Sequence, residues 1–305
     1  LCDNISKSNP YLPFQFLILI SKLNQLILNS SKLPDFTMIS FPNAKINLGL
    51  HITAKRKDGY HDIETCMVPV PLYDALEIIL ANKTHFDTSG LSIPGEEKDN
   101  LILKALKLLR KDFNDLPNVH IHLHKNIPMG AGLGGGSADA AFALTLMNNL
   151  FDLHLENWFL EDYATQLGSD CAFFIDNTPK IATGRGEIME PVEVDLKGNH
   201  ILLVKPPIHI GTKEAYAGVN SKKPEKNLAQ ILKDKTRWKT ELQNDFEKSI
   251  FPRYPELAVI KKSLYDMGAY YAAMSGSGST VFGLFDNQPE AKDWDKEYFV
   301  FKGEM

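Results

Sequence analysis

Residues 128–141 read PMGAGLGGGSADAA, with five glycines between Gly130 and Gly136 and none in the Ala-rich stretch that follows. Glycine tolerates positive φ and carries no Cβ, so a ligand can approach the main chain directly. A helix is expected to begin near Ser137 and run to Phe151, apolar on more than one side and therefore buried. Its free N–H groups and positive dipole end would point into the loop, which makes an anion cradle out of backbone.

Three nucleotide loops share parts of this pattern. The P-loop G-x-x-x-x-G-K-[ST] requires a lysine that does not precede Ser137, and the protein-kinase loop requires H-R-D and D-F-G motifs that the chain lacks. The dinucleotide fingerprint G-x-G-x-x-G is matched literally by Gly130, Gly132 and Gly135, with Asp152 as the acidic partner. Its context is wrong: Lys125-Asn-Ile-Pro128 intervenes after a strand that is half histidine, and Asp152 falls at a predicted helix end.

Around the loop, short β-like runs are predicted at Ile46 to Ile52, Glu64 to Val70 and Ala75 to Leu80. The first two flank a charged turn, Lys55-Arg-Lys-Asp-Gly-Tyr60, suited to a hairpin. Apolar spacing predicts an amphipathic helix over Asn100 to Arg110, with Asp99 or Asn100 as cap. Val119 to His124 alternates strictly, which puts His120, His122 and His124 on one strand face. With no carboxylate or cysteine beside them in the sequence, they read as a solvated face rather than metal ligands. Farther on, strands are expected at Ile201 to Val204, Ala269 to Met274 and Val281 to Phe285, and a Lys-rich helical stretch at residues 226 to 248. A second Gly/Ser loop, Met274-Ser-Gly-Ser-Gly-Ser-Thr280, lies between the last two strands.

The chain's 305 residues exceed one average domain, so two are expected. A net charge of -5 gives no general pull toward nucleic acid or anionic membranes, and an anionic ligand must be bound by local geometry. Three cysteines, Cys2, Cys66 and Cys171, form no C-x-x-C pair and suit a reducing cytoplasm. The apolar run Phe14 to Ile20 is too short to span a bilayer and lacks the flanks of a secretory signal. Residues 1–37 are expected to be an extension outside the fold, with the folded unit starting at Met38.

The string Pro128-x-Gly130-x-Gly132-Leu133-Gly134-x-x-Ser137-Ala138 resembles the phosphate loop of the GHMP kinases, the small-molecule kinases named for galactose, homoserine, mevalonate and phosphomevalonate. Further motifs resemble the branch that phosphorylates 4-diphosphocytidyl-2-C-methyl-D-erythritol: Phe41-Pro-Asn-Ala-Lys-Ile-Asn-Leu-Gly-Leu50, Arg56-Lys-Asp-Gly-Tyr-His61, Leu167-Gly-Ser-Asp-Cys-Ala-Phe-Phe174 and Ala182-Thr-Gly-Arg-Gly-Glu187. Gln243-Asn-Asp-Phe-Glu247 and the second Gly/Ser loop fit the C-terminal half of that branch.

This resemblance implies an α+β, two-domain GHMP kinase: an N-terminal ribosomal-protein-S5 domain-2-like domain (residues 38–194) and a C-terminal ferredoxin-like domain (195–305), with the site in the cleft between them. ATP would be held by Pro128, Gly130, Gly132, Leu133, Gly134, Gly135, Gly136, Ser137 and Ala138. Asp170 would orient the substrate hydroxyl and accept its proton late, with Lys45 as its partner cation. Asn47, two residues from Lys45 and so on the same strand face, would hydrogen-bond substrate. Tyr60 and His61 would stack on and read a cytosine, and Thr212 and Lys213 would line the cleft. Mg²⁺ is implied as cofactor, held mainly by phosphates and water, with Ser137 as a possible contact and no protein metal ligand assigned. The expected partner is a small molecule carrying a cytidine diphosphate, without nucleic acid or membrane, on a cytoplasmic monomer or homodimer. The competing readings are a homoserine- or mevalonate-type GHMP kinase, or a non-catalytic nucleotide or RNA binder on the same fold.

Overall fold

The structure, a computed structural model, describes residues 38–219, 221–224 and 226–305. The expected extension at residues 1–37, and Cys2 within it, lie outside the described residues.

The long hairpin at the centre sets the frame. Strands β2 (Asn43–Lys55) and β3 (His61–Tyr73) pair antiparallel across a turn in which Gly59 takes φ 88° and the Arg56 N–H donates to the Tyr60 carbonyl at 2.8 Å. This is the hairpin expected from Asp-Gly. Strands β7 (Lys180–Thr183) and β8 (Ile188–Pro191) extend the sheet in the order β2-β3-β7-β8. From Asn43 to Ile52, β2 is buried without a break. Ala44, Ile46 and Leu48 enter one core with Ile201, Leu203, Tyr271 and Phe282, while Lys45 and Asn47 project from the opposite face.

A second sheet, in the order β1-β4-β6-β5, consists of β1 (Met38–Ser40), β4 (Ala75–Leu80), β5 (His85–Gly90) and β6 (Val119–Lys125). Strictly alternating burial along β6 puts Val119, Ile121 and Leu123 against the helices and turns the histidines outward. Helix α1 (Leu101–Asp112) starts where the Asn100 side chain accepts the Ile102 N–H at 2.9 Å, and it buries Ile102, Ala105, Leu106 and Leu109.

Helix α2 (Gly135–Leu150) begins two residues earlier than Ser137, inside the glycine run, with Gly134 as its cap at φ 71°. Its alanines allow close packing on two sides: Ala140, Ala143, Leu144 and Met147 join the helical core, and Ala138 and Ala141 pack on Met67, Phe173 and Phe174. Helices α3 (Asn157–Leu167) and α4 (Phe173–Asp176) complete this half.

A third sheet, in the order β10-β11-β9-β12, contains β9 (His200–Lys205), β10 (Tyr271–Met274), β11 (Val281–Phe285) and β12 (Phe299–Glu304). Helix α5 (Thr212–Ala217) follows β9, and a later helix, α6 (Pro255–Asp266), buries Leu257, Ile260 and Leu264 in the core that includes Leu202, Val204 and Met274. The stretch 226–248, expected as helical, is divided into the short helices Leu228–Leu232, Lys235–Arg237, Trp238–Glu241 and the start of Glu247–Ile250. The Asn227 side chain accepts the Ala229 N–H at 2.8 Å and starts the first helix, and the first break falls where the Asp234 side chain accepts the Thr236 N–H at 3.0 Å and begins a new turn. Residues 243–245 then run beside β2, with the Leu50 N–H donating to Gln243 and the Asp245 N–H to Leu50, both at 2.8 Å. Among the described residues, no helix is long and apolar enough to cross a membrane.

Candidate active site

The glycine loop is fixed on three sides by contacts that leave no room for side chains. Its Leu133 carbonyl accepts the Lys45 N–H at 2.9 Å, which docks it on β2. A methyl group at Gly132 would lie 2.0 Å from the Ser275 carbonyl oxygen, and one at Gly134 2.9 Å from the Phe174 ring. The Ser275 hydroxyl donates to the Gly132 carbonyl at 2.8 Å, and the Thr280 N–H donates to Ala131 at 3.2 Å. The second Gly/Ser loop is thus bound directly to the first.

Residues far apart in sequence surround the resulting cavity of about 450 Å³. Pro128, Gly130, Gly132, Gly134, Gly135, Gly136 and Ser137 line it with Asp170, His209 and Thr212. Leu133 and Ala138 are buried behind this lining as packing residues. An adjoining pocket of about 280 Å³ lies between the 93–101 segment and Met129, Gly136 and Asp139.

Lys45 and Asp170 come together as expected, with Nζ 3.3 Å from the Asp170 carboxylate. Lys45 is 4% exposed, so its ammonium needs more than one partner; it also donates to Asn47 Oδ1 at 2.6 Å. Asn47 in turn donates to the Thr65 hydroxyl at 2.9 Å, and Thr65 donates to the Gly49 carbonyl at 2.6 Å. This chain of donors fixes the amide orientation and leaves Asp170, at the cavity wall, as the accessible end. Cys171, beside it, shares a hydrogen bond with Ser137, and burial pushes its thiol up to about 12, so it stays a neutral thiol.

At the mouth of the hairpin the aromatic residues are split. Tyr60 is exposed, with the Arg185 guanidinium 5.2 Å above its ring, while His61 stacks on Tyr216 at 4.9 Å and 20°. Burial, and then the charge of Asp170, raise the Tyr216 phenol. Neither Tyr216 nor His209 was found in the sequence. An isolated aromatic or histidine carries no motif, and its place follows only from the turn after β9.

A buried triad supports the loop from below. Lys125 donates to Asp74 and, at 2.6 Å, to Asp139 in the second turn of α2. Burial drives the Asp139 carboxyl up, to about 8, whereas the two carboxylates hold the Lys125 ammonium above its usual range despite its burial. Asp74 also accepts the Asn126 and Ile127 N–H groups at 2.6 and 2.8 Å, and so fixes the approach to Pro128.

Comparison with known proteins matches two segments of the chain to family models, GHMP kinases N terminal domain over residues 100–178 and GHMP kinases C terminal over residues 226–294. A 4-diphosphocytidyl-2-C-methyl-D-erythritol kinase of Bacteroides fragilis is 52% identical over 274 residues, covering 88% of this chain and 100% of the relative. The kinase of the same name from Cytophaga hutchinsonii is 54% identical over 255 residues, covering 83% and 94%. The chain belongs to the GHMP kinase family.

Solved structures give the same two-domain GHMP kinase fold of mixed helices and sheets. A crystal structure of a 4-(cytidine 5'-diphospho)-2C-methyl-D-erythritol kinase superposes with TM-score 0.71 at 31% identity, covering 81% of this chain and 90% of the other. A homoserine kinase of Cytophaga hutchinsonii, 15% identical with TM-score 0.65 and coverage of 90% and 96%, shows the fold alone. A GHMP kinase uses ATP as co-substrate, and the glycine cradle at the start of α2 is suited to its phosphates.

Proposed function

We propose that this GHMP kinase transfers the γ-phosphoryl group of ATP to the 2-hydroxyl of 4-diphosphocytidyl-2-C-methyl-D-erythritol, in the formation of isoprenoid precursors. The observation that carries the reading is Lys45 in contact with Asp170, which lines the glycine-loop cavity, while Tyr216, stacked on His61, lies within reach of the Asp170 charge. Curated relatives about half identical over most of the chain bear that kinase's name.

In the reaction, the substrate oxygen forms a bond to Pγ while the bond from Pγ to the β-phosphate oxygen breaks, and ADP leaves. The transition state is loose and needs little early proton removal, so Asp170 orients the hydroxyl and takes its proton late. Lys45 holds the carboxylate in place and faces the negative charge that develops on the transferring group. Backbone N–H groups at Gly135 to Ser137 face the phosphates, and the closed Gly132 to Ser275 contact keeps both loops in register. Mg²⁺, which would neutralise phosphate charge, fits a wall that offers the Ser137 hydroxyl and otherwise leaves coordination to phosphate and water oxygens.

A flat base suits the aromatic mouth: Tyr60 supplies an exposed ring, already covered on one side by Arg185, and His61 a ring nitrogen for the base edge. The same reading keeps Thr212 as a substrate-side residue, moves Asn47 from the expected substrate contact to holding Lys45, because its buried amide is taken up by Lys45 and Thr65, and assigns residues 38–194 and 195–305 to the two family domains. It places the enzyme in the cytoplasm as a monomer or homodimer, acting on a small molecule and needing neither nucleic acid nor membrane. An ATP-coupled assay over a panel of alcohols tests the substrate. The cytidylated alcohol is expected to be turned over in preference to homoserine, mevalonate and uncytidylated methylerythritol phosphate, and preference for any of these three overturns the proposal.

A further inference from the structure

The outer face of the β1-β4-β6-β5 sheet carries a polar row that phosphoryl transfer does not use. Edge strand β5 runs parallel to β6, with His85 opposite His120, Asp87 opposite His122 and Ser89 opposite His124. Phe86 on β5 and Ile121 on β6 are buried on the inner face, so His85, Asp87 and Ser89 on β5 and His120, His122 and His124 on β6, at the alternate positions, turn outward. In the sequence the β6 histidines stand without a carboxylate. Folding supplies one from a neighbouring strand.

Asp87 sits between two imidazoles. Its Oδ2 lies 2.8 Å from His120 Nε2 and its Oδ1 3.1 Å from His85 Nε2, and the two rings are 5.3 Å apart. One ligand atom from each of the three residues falls within a span of 4.8 Å. His122, opposite Asp87, and His124 hydrogen-bond instead to the Ser89 hydroxyl, at 3.0 and 2.9 Å.

We propose that His85, Asp87 and His120 form a surface site for a divalent transition-metal ion of the Zn²⁺ type, distinct from the nucleotide's Mg²⁺. Two imidazoles and a carboxylate are ligands that Zn²⁺ and its neighbours accept, whereas Mg²⁺ selects oxygen donors. Zinc bonds of about 2.0–2.2 Å put tetrahedral ligand atoms roughly 3.3 Å apart. Both His-to-Asp separations are already close to that value. Bringing His85 and His120 to a common point needs only side-chain rotation, which the exposed rings can make, at 65% and 37% exposure. The ion takes the place of the ring protons now directed at Asp87, and water completes its coordination.

The test uses the full chain without nucleotide at about pH 7.5, above the ordinary histidine pKa, titrated with Zn²⁺ by calorimetry and with Co²⁺ by visible absorption. Wild type is expected to bind one more equivalent than an Asp87→Ala/His120→Ala double variant. Each single variant should weaken that site at least about tenfold, the smaller end of the loss seen when even a supporting partner of a metal ligand is removed. Excess Mg²⁺ should not displace the ion, and ATP turnover should be unchanged in the variants. Equal stoichiometry and affinity in wild type and double variant, or no Zn²⁺ binding by wild type, overturns the proposal. So does a His122→Ala variant that loses as much affinity as His120→Ala.

Discussion

At the scale of single residues, the site depends on polar groups that are costly to bury and therefore held by partners. Lys45 is stabilised by Asn47 and Asp170 together, so an asparagine at 170 would leave the lysine an oxygen but no counter-charge, and the substrate hydroxyl no group to take its proton. Asp170→Asn is expected to lower kcat by roughly 10²- to 10⁴-fold, the range for positioned acid–base groups, with the KM for ATP nearly unmoved. Steady-state kinetics over both substrates separate this from a binding defect. Tyr60, being exposed, can be cut back without loss of core packing. Tyr60→Ala should raise the KM for the cytidylated substrate by about tenfold, within the 1–3 kcal/mol of a base-aromatic stack, with melting temperature unchanged. Lys45, Asn47 and Asp170 were legible because each sits in a motif, and the two-residue spacing of Lys45 and Asn47 fixes their shared face. Tyr216 was not, since its ring reaches His61 across 155 residues of chain.

At the scale of elements, the two loops act as one unit. Asn244, 2% exposed, donates to the Met274 and Gly276 carbonyls at 2.7 and 2.8 Å, so the segment beside β2 holds the second loop while that loop holds the first. The glycines accordingly differ in what they tolerate. At Gly132, φ is 79° and an added methyl meets backbone at 2.0 Å, so Gly132→Ala should cost about 3 kcal/mol or more and release Ser275. At Gly136, inside α2, the nearest atom is Met129 Cε at 3.5 Å, an ordinary contact. Gly136→Ala should leave stability unchanged or raise it by up to about 1 kcal/mol, while a rise in the KM for ATP reports a phosphate close to that backbone. Denaturant melts and ATP kinetics on the two variants check both statements. Glycine composition marked the loop, but not which glycines face backbone and which face open space. That distinction depends on Ser275, 143 residues away from Gly132.

For the whole molecule, the sequence was most informative where one face of an element meets water, as in β6 and α1, because burial then alternates with the element's period. It was least informative for β2, buried on both faces, and for β7, whose pairing to β3 spans more than a hundred residues, with β8 added on the far side of β7. The same long-range assembly buries charges that titrate in opposite senses. Asp139, raised from 3.8 to about 8, keeps a proton in the folded chain that the unfolded chain has already released. Stability therefore falls as pH rises from about 4 toward 8 on this account. Burial would also raise Asp245, but hydrogen bonds from His51, Lys248 and the Ile52 N–H outweigh it and hold the carboxyl at about 2. Its contribution, about 2 kcal/mol, is present above pH 4 and is lost as pH falls through 2. Denaturant unfolding of wild type, Asp139→Asn and Asp245→Asn between pH 2 and pH 9 separates the two. An asparagine at 139 still offers Lys125 an oxygen but no longer titrates, so that variant should gain on wild type steadily from pH 5 to pH 8. Asp245→Asn should be the weaker protein at pH 7 and converge on wild type near pH 2. Parallel profiles for all three proteins would mean that neither carboxyl is perturbed by folding, and that the triad beneath α2 carries its charges without a shared proton.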